Sequence, residues 1–172
     1  MVTSTPVATS LTTHTRVVLE EAAIKLLSSI GCMNPQGADV PPLTTMEQFV
    51  EYLRVEGLQQ DRLEAWWSSR IGINHDSLTR GTFNQYDQTH RMRIVGWAWR
   101  GSFEASYQYM QDQTELLLWT LEKNKGFATP EVLEVSQIQT SFGFQSLGEY
   151  TLHQSETRFS LLIHLTDAGG RT

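Results

Sequence analysis

The chain has one cysteine, five prolines and no long hydrophobic run, and each scarcity excludes a class of protein. A lone thiol, Cys32, builds neither an internal disulfide framework nor a cysteine-rich zinc site. Its expected place is a small buried position just after a helix. No segment approaches the ~18 apolar residues of a membrane span. The opening residues MVTSTPVATSLTTH lack a basic segment followed by an apolar one, which makes the cytoplasm the expected site of synthesis and residence. Basic charge is short too: Lys and Arg number 13 against 19 Asp and Glu, a net charge of −6. Broad phosphate neutralisation is therefore not expected, which leaves room for a surface that nucleic acid slides past without sticking.

Signatures of chemistry are equally sparse. There is no glycine-rich phosphate loop and no GxSxG nucleophile turn. The histidines His14, His75, His90, His153 and His164 are scattered, and no cysteine or carboxylate spacing completes a metal site around them. Glu20, Glu21, Asp61 and Glu64 read as solvated charges. No catalytic residue, cofactor-binding residue or metal ligand is expected, and the chain is not read as an enzyme.

What the chain does contain is patterned for one α+β domain of ordinary size. Residues 1–12 are small and hydroxylated without a period and are expected to be a flexible arm. A helix follows, with Leu19, Ala22, Ala23, Leu26, Leu27 and Ile30 on one face and Gly31 at its C-terminal stop. CMNPQGADVPPL reads as a loop, and TTMEQFVEYLRVEG as a short helix. Strands are predicted over 63–73 and 89–100, joined by a long polar loop of about 74–89. The second long helix starts at the N-cap Ser102 and ends at Gly126, with Phe103, Tyr107, Met110, Thr114, Leu117, Leu118 and Leu121 as its buried stripe. Two more strands follow. The first changes phase between Val135 and Ile138, which predicts a bulge; the second turns Phe159, Leu161, Ile163 and Leu165 inward. Residues 13–166 thus form one domain, and 167–172 a loose tail. The expected fold is an antiparallel four-stranded sheet with two long helices packed on one face.

One strand poses a problem. HRMRIVGWAWRG places Met92, Ile94, Gly96 and Ala98 on one face and Arg91, Arg93, Val95, Trp97 and Trp99 on the other. The helices cover the first face, so the aromatic second face needs a cover of its own. Trp97 and Trp99 either pack beneath the 63–73 strand or the long loop, or form a contact surface together with Trp66 or Trp67. Arg91 and Arg93 either guard an edge strand or make an intersubunit ion pair. In the long loop, His75, Asp76, Arg80, Phe83 and Tyr86 are candidates for contact with a partner.

The stretches AWWSSRIGIN, HRMRIVGWAWRG and EASYQYMQDQTELLLWTLEKNKGF together resemble the tail-terminator, or tail-completion, proteins of tailed bacteriophages. The resemblance spans roughly residues 60–166. It implies a structural virion protein of the tail or neck: a hexameric ring at the head-proximal end of the tail tube, which stops tail growth and joins the tail to the head-side connector. The implied partners are other copies of the chain, the tail tube protein, the connector or stopper protein and a sheath protein, with DNA passing through the lumen. A head-completion or stopper protein, and a small-ligand-binding α+β domain, are the alternatives.

Overall fold

A computed structural model describes residues 6–36, 51, 53, 62–75, 85–123, 127, 132–147 and 149–166. The elements are α1 (Pro6–Ser29), β1 (Pro35–Gln36), β2 (Arg62–His75), β3 (Gln85–Arg100), α2 (Phe103–Lys123), β4 (Val132–Leu147) and β5 (Tyr150–Thr166). The five strands form one mixed sheet in the order β1-β2-β3-β5-β4. The expected sheet of four antiparallel strands is therefore corrected. Four long strands pair antiparallel, and β1 adds a two-residue parallel strand against Trp66 and Trp67.

That fifth strand arises from the way α1 ends. Gly31 adopts φ 83°, and the chain closes a Schellman cap: the Gly31 N–H donates to Ser28 O (3.2 Å) and the Cys32 N–H to Leu27 O (3.0 Å). Asn34 then takes a second left-handed turn (φ 51°), which lays Pro35 and Gln36 along β2. The Trp66 N–H donates to Asn34 O at 3.2 Å. Pro35 has no N–H to give and suits an outermost strand. A two-residue strand made by backbone turns leaves no hydrophobic period, so the segment reads as a loop.

Helix α1 begins at Pro6, so part of the stretch expected as an arm is helical backbone, and proline suits a first helical turn. Strands β2 and β3 extend into both ends of the expected 74–89 loop. The predicted bulge in β4 is present, with the register slipping between Ser136 and Gln139 and Gln137 at φ 53°. Ser102 caps α2 by accepting the Ala105 N–H on Oγ at 3.1 Å.

Both helices bury one face of the sheet. Leu19, Ala23 and Leu27 of α1 and Met110, Leu117 and Leu121 of α2 pack with Trp66, Met92, Ile94, Phe159, Leu161 and Ile163. The buried stripe of α2 runs through Ser106, Met110, Thr114, Leu117 and Leu121. Phe103 and Tyr107, expected in that stripe, are exposed. Both stand in the first two turns of α2, beside the β4–β5 hairpin.

The sheet's other face has its own cluster of Leu63, Ala65 and Leu152 with Trp67, Trp97, Trp99 and Tyr150 packed around them, and Leu53 lies fully buried among them. Glu51 and Leu53 are helical positions. The aromatic face is thus covered in part by the chain itself.

His90 lies in the helix-side layer, fully buried, with Nε2 bonded to Gln88 Oε1 at 2.9 Å and no partner for Nδ1. Burial, and secondarily the Arg70 guanidinium, lowers its pKa from 6.5 to about 4. A base whose folded pKa is depressed stabilises the fold above the unfolded value, and that stability is lost as pH falls from about 6.5 to about 4. The loss expected is about 3 kcal/mol. Urea titrations across that range should show it, and His90→Gln should flatten the profile.

Candidate functional site

The sequence-predicted residues separate into three places. Trp66 is fully buried on the helix side, opposite Gly96 in the β2–β3 register. Trp67, Trp97 and Trp99 are half-buried on the other face, where Trp99 meets Tyr150 edge-to-face at 6.3 Å. Trp99→Ala is expected to cost about 2 kcal/mol in thermal unfolding, less than a fully buried tryptophan would. Arg91 and Arg93 continue that face away from the aromatic end. Arg91 is exposed and lays its guanidinium over Gly72, its partner across the strands. Arg93 stands opposite Ser69 and Arg158, and its Nε has no hydrogen-bond partner. The backbones of His75 and Tyr86 belong to β2 and β3. Asp76, Arg80 and Phe83 lie outside the described residues.

Glu64 is not the solvated charge expected from sequence. It is fully buried, and its Oε1 accepts hydrogen bonds from the Trp66 indole (2.7 Å), the Tyr109 hydroxyl (2.7 Å) and the Met33 N–H (3.1 Å). Its Oε2 is paired with Arg100, whose guanidinium stacks 3.9 Å above the Tyr109 ring. Burial, and next the neighbouring Glu64 charge, raises the Tyr109 pKa well above the usual phenol range, with Arg100 opposing. Burial first and Glu64 second likewise raise that of Cys32, which stays a thiol. Each member of the cluster is satisfied by another, and together they tie the segment after α1 to β2, β3 and α2. This is the chemistry of a structural clasp.

The third place was not predicted from the sequence. A cavity of about 300 Å³ opens between the start of α2 and the β4–β5 hairpin. Its walls include Phe103, Tyr107, Met110, Phe142 and Phe144, with His153 among them. Four of these rings are largely exposed, Phe144 by 65%. Phe103 and Phe144 meet edge-to-face at 5.7 Å, and the His153 imidazole sits 4.5 Å from Phe103, 5.9 Å from Tyr107 and 6.1 Å from Phe144. His153 is only 4% exposed, and its Nε2 has no hydrogen-bond partner. Burial lowers its pKa, against a hydrogen bond to the Phe103 backbone. The imidazole is therefore neutral near pH 7, and Nε2 is left as an acceptor. No group of three metal-ligating side chains and no membrane-length apolar helix occurs among the described residues.

The only sequence signal for this place was the run from Val135 to Gly148, which carries no charge. No protein-family model matches the chain, and no curated protein does.

Proposed function

We propose that the chain is a ring-forming structural subunit that caps the head-proximal end of a bacteriophage tail tube and joins it to the head-side connector. One observation carries the assembly part of this reading. The sheet ends in two unlike edges, and among the described residues neither edge is closed by a further strand along most of its length. A protein that assembles head-to-tail needs two different, complementary surfaces, and such contacts close into rings when the rotation permits. The neck position, and the tail tube, connector and sheath as partners, rest on the resemblance of the 60–166 stretches. The net charge of −6 is compatible with a lumen that passes DNA without holding it.

Light scattering of the purified protein, with negative-stain images in the presence of tail tubes, tests this reading. Rings, or protein seated on tube ends, are the expected result. A second reading has the aromatic cavity in its favour: a small-ligand-binding domain. A stable monomer that ignores tubes and binds indole or phenol would replace the first reading by the second.

A further inference from the structure

The sheet face opposite the helices changes character along β3. Its aromatic half gives way, beyond Val95, to Arg93 and Arg91. Arg158 of β5 is the direct cross-strand partner of Arg93. Like charges at paired positions weaken a sheet, and a chain of net charge −6 has no surplus of cations to account for the pairing. Paired positions stand about 5 Å apart across strands, and Arg91 follows Arg93 about 7 Å along β3. Three guanidinium-bearing side chains therefore rise from one small patch of β3 and β5.

Inside the protein these groups are incompletely matched. Glu156 pairs with Nε of Arg158, whose side chain is still 58% exposed. No carboxylate among the described residues pairs with Arg91 or Arg93. Arg93 Nε and Ser69 Oγ, on directly paired residues of β3 and β2, are both buried without a hydrogen-bond partner. A guanidinium N–H only donates and a hydroxyl can donate, so the partner missing here is an acceptor. Gly72 completes the arrangement. A Cβ at that position would collide with the Arg91 guanidinium, and its absence lets that head lie against β2, at the next pair on the same face after Ser69 and Arg93. Three guanidiniums against the one carboxylate of Glu156 leave two positive charges, which a phosphate dianion balances.

We propose that Ser69, Arg91, Arg93 and Arg158 form an oxyanion site for a phosphate group, carried either by a small phosphate compound or by a nucleic-acid backbone. Planar guanidinium forks bind phosphate oxygens in pairs, and such charge-assisted bonds are the strong ones. A bound phosphate screens Arg93 from Arg158 and brings the acceptor that this patch lacks. Strands β2, β3 and β5 are the three inner strands of the sheet, so the site is complete within one copy and goes beyond the ring reading without resting on it.

Two measurements test this, each on the wild-type chain and on Arg91→Gln/Arg158→Gln. Both side chains are exposed, so the double variant is expected to keep the wild-type circular dichroism spectrum. The first measurement is the melting midpoint in about 20 mM inorganic phosphate against sodium chloride of equal ionic strength. A rise of about 5 °C is expected for the wild type, and its loss in the double variant. The second is the fluorescence anisotropy of a labelled single-stranded oligonucleotide. Binding that the double variant weakens at least about tenfold, and that free phosphate competes away, assigns the site to a nucleic-acid backbone. A phosphate response without oligonucleotide binding assigns it to a small phosphate compound. A wild-type chain that answers to neither probe, or a double variant that answers as the wild type does, overturns the proposal.

Discussion

Gly96→Ala is expected to cost about 3–5 kcal/mol, enough to leave little folded protein, although it adds only one methyl group. A Cβ built on Gly96 would run into three atoms of the Trp66 six-membered ring, far inside van der Waals contact. Real carbon contacts do not approach so closely, so either the indole or β3 must move. The indole has nowhere to go. Trp66 is fully buried between the sheet and the helices, and its N–H is held by Glu64 at 2.7 Å. Gly96 does not occupy a left-handed conformation, so backbone strain contributes nothing and the effect is purely one of volume. That makes a clean check possible. Soluble yield and urea midpoint should collapse in Gly96→Ala and recover in part when Trp66→Phe is added, because the smaller ring vacates the space. A single alanine variant with wild-type stability would mean that Trp66 does not press on β3.

Glu64→Gln is the second large effect, expected at about 3–5 kcal/mol. The carboxylate accepts from three donors on one oxygen and from Arg100 on the other. An amide puts an NH2 group where one of those donors points, and it leaves the Arg100 guanidinium, 12% exposed, without its counter-charge. Tyr109→Phe removes one donor and leaves the ion pair, so its cost should be nearer 1 kcal/mol. Urea unfolding of Glu64→Gln, Arg100→Met and the double variant forms the decisive cycle. The double should be less damaged than the sum of the two singles, because the second substitution removes the charge that the first leaves stranded. Strict additivity would show that the two groups act independently.

These residues also mark where sequence reading stops. The faces of β3 were legible because strand periodicity is local: Met92, Ile94 and Ala98 turned inward together, and Val95, Trp97 and Trp99 together to the other side. The stop of α1 at Gly31, the Ser102 cap and the β4 bulge were legible for the same reason, since each is set by residues within one turn or a few bonds. Glu64 was misread because nothing near it in sequence announces Arg100 or Tyr109, 36 and 45 residues away. The short β1 was missed because it depends on the left-handed turn at Asn34 and on the presence of β2 beside it.

The candidate site divides the same way. The sequence singled out tryptophans on an uncovered sheet face, and three of them are there, partly closed over by Leu53. The aromatic cavity joins Phe103 and Tyr107 of α2 to Phe142, Phe144 and His153 of the last hairpin, segments some 40 residues apart. Phe103 and Tyr107 fit a buried helical stripe equally well on spacing alone. They are exposed because the start of α2 meets the β4–β5 hairpin across an open cavity.

The sequence by itself thus determined the long elements and most of their inward faces, because short-range period acts through a few neighbouring residues. Only the tertiary structure decided strand order, the buried partner of each polar group and which aromatics remain exposed. Those outcomes depend on which distant surfaces meet, and burial against a distant surface changes the meaning of a side chain without changing anything near it in the chain.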